Sequence, residues 1–365
     1  MRKKIMLAVG LLLGAWGLSN CKKDDTDIKT IPEKVTLTEV ASSWQQWTGV
    51  AITSDNRLFV NYPRWTDTVK ISVAEIKGAN QVEAFPDMEW NSWTPAKSPG
   101  DHFICVQAVF VDKENFLWVL DAGSPKQAGV VAGGAKLLKF DPTSRQLIQK
   151  IIFKEPVILP KSYINDVNVD TSLDFAYLTD SNAGAIVVVN LTTGESRRVL
   201  DKHFSTKSEN KVLKINGEEV RDPKDQSRFN AHSDGIALSF DGSYLYYHAV
   251  TGNTLYRIAT NALRDAALTP DQLGEKVENL GNTGVTDGML YGPDNGVYQT
   301  ALELNAITVY KEGKTQIVVK DDRLQWPDGF ALGSDNTIYV TTSQIHIKSP
   351  KEPYKLFKFK VDKLD

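Results

Sequence analysis

One arrangement of apolar and polar positions recurs along the chain. It opens with a polar residue beside a small one, continues as an apolar run, turns seven positions after the polar residue and ends in a second apolar run. The clearest copy spans residues 328–340, where Asp328-Gly329 opens the first run and Asp335-Asn336 forms the turn. Two apolar runs joined by such a turn predict a β-hairpin. Because an internal repeat decides architecture before any single motif does, this hairpin is the unit from which we predict the fold.

Six copies of the hairpin can be located. The polar residues that open them are Thr48, Gln107, Asp166, Asp234, Asp287 and Asp328. The copy at Asp166 is the loosest, with its turn near Leu173-Asp174. A third apolar run follows in five copies, at residues 136–140, 185–189, 254–258, 306–310 and 355–359. Six repeats of up to four antiparallel strands, without a long helical period, predict an all-β fold, a six-bladed β-propeller.

The N-terminal part of the folded region predicts how the ring closes. Residues 34–40 alternate apolar and polar positions and precede the first repeat, so they form a strand outside it. We expect residues 35–39 to pair with the outer edge of the blade that contains Asp328, since a closed ring leaves no blade incomplete. The charged stretch 202–231 is predicted to be a long surface loop, and residues 34–365 a single domain.

The topology of a propeller turns the repeat into a site prediction. The first strand of each blade lines the central channel and the second returns antiparallel, so the start of one and the end of the other share a face. We therefore expect Asp166, Asp234, Asp287 and Asp328 to place four carboxylates around one mouth of the channel, as candidate metal ligands. The further candidate ligand-binding residues are Thr48, Tyr62, Arg64, Gln107, Asp121, Asn182, His248 and Asn305.

Four carboxylates around one opening repel one another and raise one another's pKa. A bound Ca²⁺ or another divalent cation, held by these hard oxygen ligands, would offset the repulsion. A cationic ligand would do the same. The architectural alternative is that each Asp accepts backbone N–H groups in a turn at the hub. For His248 the alternative is a hydrogen-bonded packing role.

The charge and the cysteine content argue against several classes of protein and site. The net charge is −3 with basic and acidic residues interspersed, so the sequence predicts no nucleic-acid surface. The two cysteines, Cys21 and Cys105, support neither a disulfide framework nor a zinc site. The chain contains no G-x-S-x-G nucleophile elbow and no phosphate-binding glycine-rich loop.

The first twenty residues have the pattern of an export signal. Arg2, Lys3 and Lys4 precede the apolar stretch 5–13, which is too short to span a bilayer. Residues 18–21 resemble a bacterial lipoprotein cleavage box, which implies that Cys21 is lipidated and that residues 21–33 form a flexible tether. The alternative is a plain secretory signal. We expect a monomer in the cell envelope, outside the cytoplasm, that meets the membrane only through its lipid anchor.

Several stretches resemble the yellow/major royal jelly protein family. They include F-L-W-V-L-D-A-G at residues 116–123, the stretch 245–257, and W-P-D-G at residues 326–329, and the resemblance extends over about residues 57–346. It implies a six-bladed propeller. In insects the family is linked to pigment chemistry, nutrition and the capture of biogenic amines in the channel. The paired cysteines of the insect proteins are absent here.

The Asp-Gly phrase also resembles the gluconolactonase/regucalcin (SMP-30-like) propellers. In that family a Glu, an Asn and an Asp at equivalent strand starts hold one divalent metal. The resemblance implies that Thr48 replaces the Glu and Asp234 the Asn, so that only the Asp is retained. Loss of a charged ligand weakens the inference of a lactonase.

Three functions follow from these patterns. The first is an envelope-anchored or secreted propeller that binds a small ligand, cationic or aromatic, at the Asp-rich channel mouth. The alternative is a metal-dependent lactonase-like hydrolase, in which a cation polarises the carbonyl and an Asp activates water. The third is a protein-interaction scaffold, since a fold does not determine a function. The absence of a recognisable nucleophile or an intact metal triad favours binding.

Overall fold

A computed structural model describes residues 29–30, 35–222 and 225–361. The predicted signal, residues 1–20, and the lipidation site Cys21 lie outside the described residues. Most of the predicted tether does too. None of the helices in the described ranges has the length and apolar character needed to cross a membrane.

The described residues form a six-bladed β-propeller, which confirms the predicted fold class. The chain enters through two short strands, β1 (Lys29–Thr30) and β2 (Thr38–Ser43). Blade 1 contains β3 (Val50–Ile52), β4 (Leu58–Asn61), β5 (Val73–Gly78) and β6 (Gln81–Ala84). Blade 2 contains β7 (Val106–Val111), β8 (Leu117–Asp121), β9 (Lys136–Phe140) and β10 (Leu147–Ile152). Blade 3 contains β11 (Ile164–Asp170), β12 (Phe175–Asp180), β13 (Ala185–Asn190) and β14 (Ser196–Val199).

A hairpin of β15 (Lys214–Ile215) and β16 (Glu218–Glu219) precedes the second half of the ring. Blade 4 contains β17 (Ser233–Leu238), β18 (Tyr244–Ala249), β19 (Thr254–Ala259) and β20 (Glu278–Asn282). Blade 5 contains β21 (Thr286–Tyr291), β22 (Val297–Ala301), β23 (Ala306–Lys311) and β24 (Lys314–Lys320). Blade 6 contains β25 (Pro327–Leu332), β26 (Thr337–Thr342) and β27 (Tyr354–Lys360). The helices are short: α1 (Met88–Asn91), α2 (Thr260–Arg264), α3 (Pro270–Gly274) and 3-10 turns at Pro99–Asp101, Pro125–Gln127, Phe204–Thr206 and Leu302–Leu304.

The N-terminal strand closes the ring as predicted. Strand β2 pairs antiparallel with β27, in a register that joins Thr38 to Lys358 and Ser43 to Tyr354, and so supplies the fourth strand of blade 6. The strand begins at Thr38, three residues later than the alternation of residues 35–39 suggests. Within the predicted tether, β1 pairs parallel with β24 and adds a fifth strand to blade 5.

The apolar runs of the repeat fill the spaces between blades. In blade 3, Val187 and Val189 pack against residues of blade 2, whereas Ile186 and Val188 pack against residues of blade 4. Successive side chains of a strand point to opposite faces of the sheet. A strand that is apolar at every position is therefore buried on both sides, and adjacent blades share one continuous core.

The Asp-Gly phrase forms a bulge at the start of the first strand. In blade 4 the pairing register shifts between Ser233 and Ile236, across Asp234-Gly235, and blades 5 and 6 shift at the same place. A side chain on Gly235 would bring a Cβ to 2.1 Å from the backbone oxygen of Asp287, and one on Gly288 to 2.0 Å from that of Asp328. The glycines thus allow neighbouring first strands to touch at the hub, while the preceding Asp residues turn toward the channel mouth.

The long insertion between blades 3 and 4 corrects a prediction. Residues 202–231 do not form only a surface loop, because the β15–β16 hairpin packs onto the propeller. Leu213, Ile215 and Val220 are buried and share one apolar cluster with Leu302 and Trp326. The few apolar residues of this charged segment are sufficient to form that cluster. Their packing holds the C-terminal end of the segment beside the channel mouth.

The close approach at the hub predicts the effect of a single methyl group. Gly288→Ala should lower the free energy of unfolding by about 1–3 kcal/mol, because the opposing atom is a backbone oxygen that cannot rotate away. Urea denaturation measures the change. Gly78→Ala is the control, since its Cβ would lie 3.8 Å from its nearest neighbour, the Gln81 side chain. Equal stability of the two variants would show that the hub accommodates a larger residue.

Candidate functional site

A cavity of about 550 Å³ opens where the first strands begin. Three of the predicted carboxylates line it, namely Asp234, Asp287 and Asp328, together with Gln107 and Asn182. Five aromatic side chains line it among aliphatic and polar residues. They are Trp65, Tyr163, Phe229, Trp326 and Tyr354. The cavity thus combines carboxyl groups with aromatic and other apolar side chains, a composition common in sites for small molecules.

The three carboxyl groups are buried and hydrogen-bonded. Asn165 Nδ2 donates to Asp234 Oδ2 over 2.6 Å, and Trp326 Nε1 donates to Asp287 Oδ2 over 2.5 Å. The carboxyl groups of Asp234 and Asp287 also lie close together, since the charge of Asp287 raises the pKa of Asp234. Asp328 is hydrogen-bonded to the side chain of Ser343.

Burial and mutual repulsion keep protons on this cluster. Burial raises the pKa of Asp287 to about 6, against the opposing hydrogen bond from Trp326. Burial, with the charge of Asp287, raises the pKa of Asp166 to about 8. The same two causes raise the pKa of Asp234 and that of Asp328 well above the ordinary value. Near neutral pH the cluster therefore carries fewer charges than it has carboxyl groups.

Two other buried carboxylates of this fold form ion pairs with basic side chains. Asp121 forms an ion pair with Lys136 at 2.7 Å and accepts the backbone N–H groups of Ile104 and Cys105. Asp180 forms an ion pair with Arg198 at 2.7 Å. The carboxylate of Asp121, a predicted ligand-binding residue, thus contacts Lys136 of β9 and the backbone just before β7. Within residues 29–30, 35–222 and 225–361, no Lys or Arg forms an ion pair with Asp166, Asp234, Asp287 or Asp328.

Aromatic residues just before the first strands hold the polar cavity residues. Tyr163 lies two positions before Asn165, and its hydroxyl donates to Gln107 Oε1 of the preceding blade over 2.8 Å. Trp326 lies two positions before Asp328, and its indole donates to Asp287 of the preceding blade. The two hydrogen bonds are equivalent in the repeat. One acceptor is a neutral amide, and the other is a carboxyl group.

Trp326 is held in an unusual backbone conformation. Its φ is +54°, in the left-handed region that costs a bulky residue free energy. Its ring stacks on His346, with centroids 5.9 Å apart, and meets Phe229 edge-on at 5.5 Å. Burial lowers the pKa of His346 to about 4, so the stacked imidazole is neutral at pH 7.

The bulge register explains why Asp166 does not line the cavity. In blade 3 the shift spans Asn165-Asp166 after Ile164, so Asn165 takes the place that Asp234 has in blade 4. Asp166 occupies the position of Gly235, one residue further along the channel. We predicted Asp166 at the channel mouth because it is acidic. The strand register places the amide of the preceding residue, Asn165, there instead.

Five other candidate residues have structural contacts outside the cavity lining. Thr48 donates from Oγ1 to the Gln107 backbone oxygen, and Arg64 donates to the backbone oxygens of Ile104 and Val69. Tyr62 is buried beside Trp47, and burial raises its pKa to about 12. His248 is buried, with Nδ1 bonded to the oxygen of Ala249. Asn305 has a left-handed backbone and donates to Asn216 Oδ1.

The described residues do not present a metal site. Among them, no group of three or more His, Cys, Asp or Glu side chains is arranged to hold a metal ion. One oxygen of Asp234 accepts an N–H of Asn165 and one oxygen of Asp287 accepts that of Trp326, and Asp166 lies outside the cavity lining. The candidate ligands as placed therefore do not fit the Ca²⁺ or other divalent cation that the sequence suggested.

Sequence reasoning missed most of the aromatic wall. Tyr163 and Trp326 precede first strands by one residue, and this regular spacing is a signal that the repeat contains. Phe229 comes from the insertion and Tyr354 from the start of β27, at positions that no repeat specifies. Their arrival at the cavity depends on how loops pack, which the hairpin pattern does not encode.

Comparison with known proteins places the chain in a family. Residues 104–362 match the family model described as major royal jelly protein. The protein yellow of Drosophila madeirensis is 22% identical over 318 residues, covering 80% of this chain and 54% of the yellow protein. The chain thus spans about half the length of this curated relative.

Solved structures share the fold at low identity. A luciferin-regenerating enzyme is 12% identical with a TM-score of 0.54, covering 90% of this chain and 96% of its own. A gluconolactonase from Xanthomonas campestris is 12% identical with a TM-score of 0.53, covering 92% and 95%. The calcium-binding protein regucalcin from Agrobacterium tumefaciens is 13% identical with a TM-score of 0.52, covering 89% and 95%. At such identities the likeness concerns the fold alone.

The raised pKa of Asp166 predicts how stability depends on pH. In the folded protein the pKa of the Asp166 carboxyl is raised to about 8, whereas the ordinary pKa of an Asp carboxyl is 3.8. The free energy of unfolding should therefore fall as the pH rises through this window, because the unfolded chain loses the proton first. A side-chain amide cannot ionise, so Asp166→Asn should gain stability over the wild type progressively from pH 4 to pH 8.

Thermal melts of both proteins at several pH values measure this difference. The pKa of His346 is lowered to about 4, which favours the opposite trend below neutral pH, but this contribution is common to both proteins and cancels. A difference that stays constant across the range would show that Asp166 titrates normally in the folded protein.

Proposed function

This chain belongs to the major royal jelly protein family, and from that premise we propose that it binds a small organic cation in the cavity at the channel mouth. The ligand carries an ammonium group on an aromatic or apolar body. The observation that supports the proposal most is the group of buried carboxyls, Asp234, Asp287 and Asp328, which have hydrogen-bond donors but no ion pair with a Lys or Arg among the described residues.

The cost of burying carboxyls motivates this inference. A buried charge is destabilising unless it is paired, and the same fold pairs Asp121 with Lys136 and Asp180 with Arg198. Asp234, Asp287 and Asp328 have no such partner among the described residues, and burial raises the pKa of each. An ammonium ligand would supply the missing positive charge. Its N–H groups would form strong, charge-assisted hydrogen bonds to a carboxylate.

The aromatic wall favours an organic cation over a bare ion. Trp65 and Phe229 are partly exposed and line the cavity, and a cation over such a ring face gains about 0.5–2 kcal/mol. A volume of about 550 Å³ lies within the usual range for small-molecule sites and far exceeds the space that a metal ion needs. Burial of the ligand's apolar body adds further affinity.

The protein's location is a separate part of the proposal. The charged start, the apolar stretch 5–13 and Cys21 support a lipid-anchored protein of the cell envelope, monomeric and joined to the membrane only by acyl chains. Metabolic labelling with palmitate should mark the wild type and leave Cys21→Ser unlabelled. Export of an unlabelled wild type would indicate a plain secretory signal.

Calorimetry with a simple probe tests the binding function. At pH 7, 2-phenylethylamine should bind in the cavity, whereas its neutral counterpart 2-phenylethanol should bind at least about tenfold more weakly, because it lacks the charge. Asp287→Asn keeps the side-chain shape but removes the negative charge. We expect it to weaken binding of the amine by about ten- to hundredfold.

A surface acid provides the matched control. Asp67 pairs with the rim residue Lys126, and both side chains are mostly exposed. Asp67→Asn should leave the affinity for 2-phenylethylamine nearly unchanged, since salt and water screen such a charge. Equal binding of the alcohol and the amine would contradict the proposal. Turnover of a lactone with added Ca²⁺ would favour the hydrolase instead.

A further inference from the structure

The N-terminal strand enters the propeller from the face opposite the cavity. First strands begin at the channel mouth, and β21 to β24 pair antiparallel in chain order, so β24 begins at the opposite face. We call that side the distal face; it carries the turns that join the first and second strands. Strand β1 pairs parallel with β24, and Lys29 lies opposite Gln316, two residues after β24 begins at Lys314. The chain therefore reaches blade 5 close to the distal face.

The length of chain after Cys21 limits where a lipid anchor can hold the protein. Cys21 precedes Lys29 by eight residues, which can span at most about 26–29 Å. Gln316 lies four residues before β24 ends at Lys320, so the mouth end of that strand is about 13 Å beyond the point of entry. The distal end is only about 7 Å away. An anchor at Cys21 therefore favours the distal face as the one turned to the bilayer.

Apolar side chains lie exposed on the distal face beside this point of entry. Phe240, in the turn of blade 4, is 42% exposed, and its ring meets Tyr291 of blade 5 edge-on with centroids 5.3 Å apart. Leu173, in the turn of blade 3, is 52% exposed. The turns of blades 3 and 4 lie against each other, since a Cβ on Gly242 would be 2.8 Å from the Asp170 carboxylate. Leu173, Phe240 and Tyr291, here named the distal patch, thus follow three successive blades.

The hairpin repeat does not explain the aromatic ring of Phe240. In five blades the turn has one geometry, in which its fourth residue donates a backbone N–H to the oxygen of its first. The second residues of these turns are Ser54, Lys113, Phe240, Pro293 and Ser334. A polar or small residue is thus sufficient for the turn. Exposed apolar side chains that lie together are a common mark of an interaction surface.

We propose that the distal patch rests on the lipid headgroups of the membrane in which Cys21 is anchored, so that the channel mouth faces away from the bilayer. This inference rests on the lipid anchor of the proposed function. Aromatic rings favour the boundary between headgroups and acyl chains. Because the anchor already holds the protein at the membrane, a weak contact is sufficient to orient it.

The surroundings of the patch favour lipid contact through rings rather than through charge. Its exposed neighbours carry both signs, with Lys113 and Lys314 on one side of the balance and Asp241 and Glu312 on the other. The contact therefore does not require anionic lipid.

The mouth side also exposes apolar residues, but not as one surface beside the anchor. They are Trp44, Met88 and Phe204. They lie in three separate connections between blades, and none of them belongs to blade 5.

Hydrogen exchange on vesicles tests the orientation. We compare the lipidated protein in phosphatidylcholine vesicles with Cys21→Ser protein mixed with the same vesicles. Amide exchange in residues 171–174 and 239–243 should slow at least about threefold on anchoring, whereas residues 66–68 and 345–348 at the mouth should exchange as before. Protection at the mouth, at both faces or at neither face would overturn the inference.

A substitution from the repeat itself tests the patch. Phe240→Ser places in blade 4 the residue type that blades 1 and 6 carry at this position, so the turn should fold as before. We expect it to abolish the protection of residues 171–174 on vesicles. Ile148→Ser is the matched control, since Ile148 is 52% exposed but lies on the outer strand of blade 2. Protection that persists unchanged in Phe240→Ser would contradict the proposal.

Two further outcomes separate this inference from the lipid anchor and from self-association. If the wild type takes up no palmitate, the anchor fails. Coupling Cys21 to a maleimide phospholipid then joins the chain to the same vesicles, since the other thiol, Cys105, is fully buried. Exchange at the two turns still decides whether the patch contacts lipid. If these turns become protected in Cys21→Ser protein without vesicles as its concentration rises, a second copy of the chain covers the patch, and the inference is wrong.

Discussion

The structure around the channel mouth depends on carboxyl groups that are buried against one another without a protein cation. Asp234 accepts the side-chain N–H of Asn165, and Asp287 accepts the indole N–H of Trp326. Burial makes each ionised form costly, and closeness makes a second charge costlier still. The same fold neutralises Asp121 with Lys136. We propose that a cation from outside the chain takes this part at the cavity carboxyls.

The propeller architecture brings these groups together through its backbone. Gly235 and Gly288 let the first strands of successive blades touch at the hub, and the Asp beside each glycine turns to the mouth. The repeat made this part predictable, because a continuous apolar run and the Asp-Gly pair that precedes it are local features of the sequence. The closing strand was predictable too, since an incomplete last blade needs a partner. Its start at Thr38 depends on pairing with β27, which alternation alone does not specify.

The rest of the site depends on contacts that local patterns do not contain. Asp166 shares its residue type with the cavity acids, yet the strand register places Asn165 at the mouth. Phe229 reaches the cavity only because a hairpin in a charged insertion buries Leu213 and Ile215 on the propeller. The left-handed backbone of Trp326 is likewise a product of tertiary packing.

A crystal structure of the protein grown with 2-phenylethylamine would show whether the cavity binds an organic cation. We expect an ammonium nitrogen within hydrogen-bond distance of the Asp287 carboxylate, with the phenyl ring against the aromatic side chains of the cavity. A metal ion coordinated by Asp234, Asp287 and Asp328, with the amine absent or bound elsewhere, would contradict it.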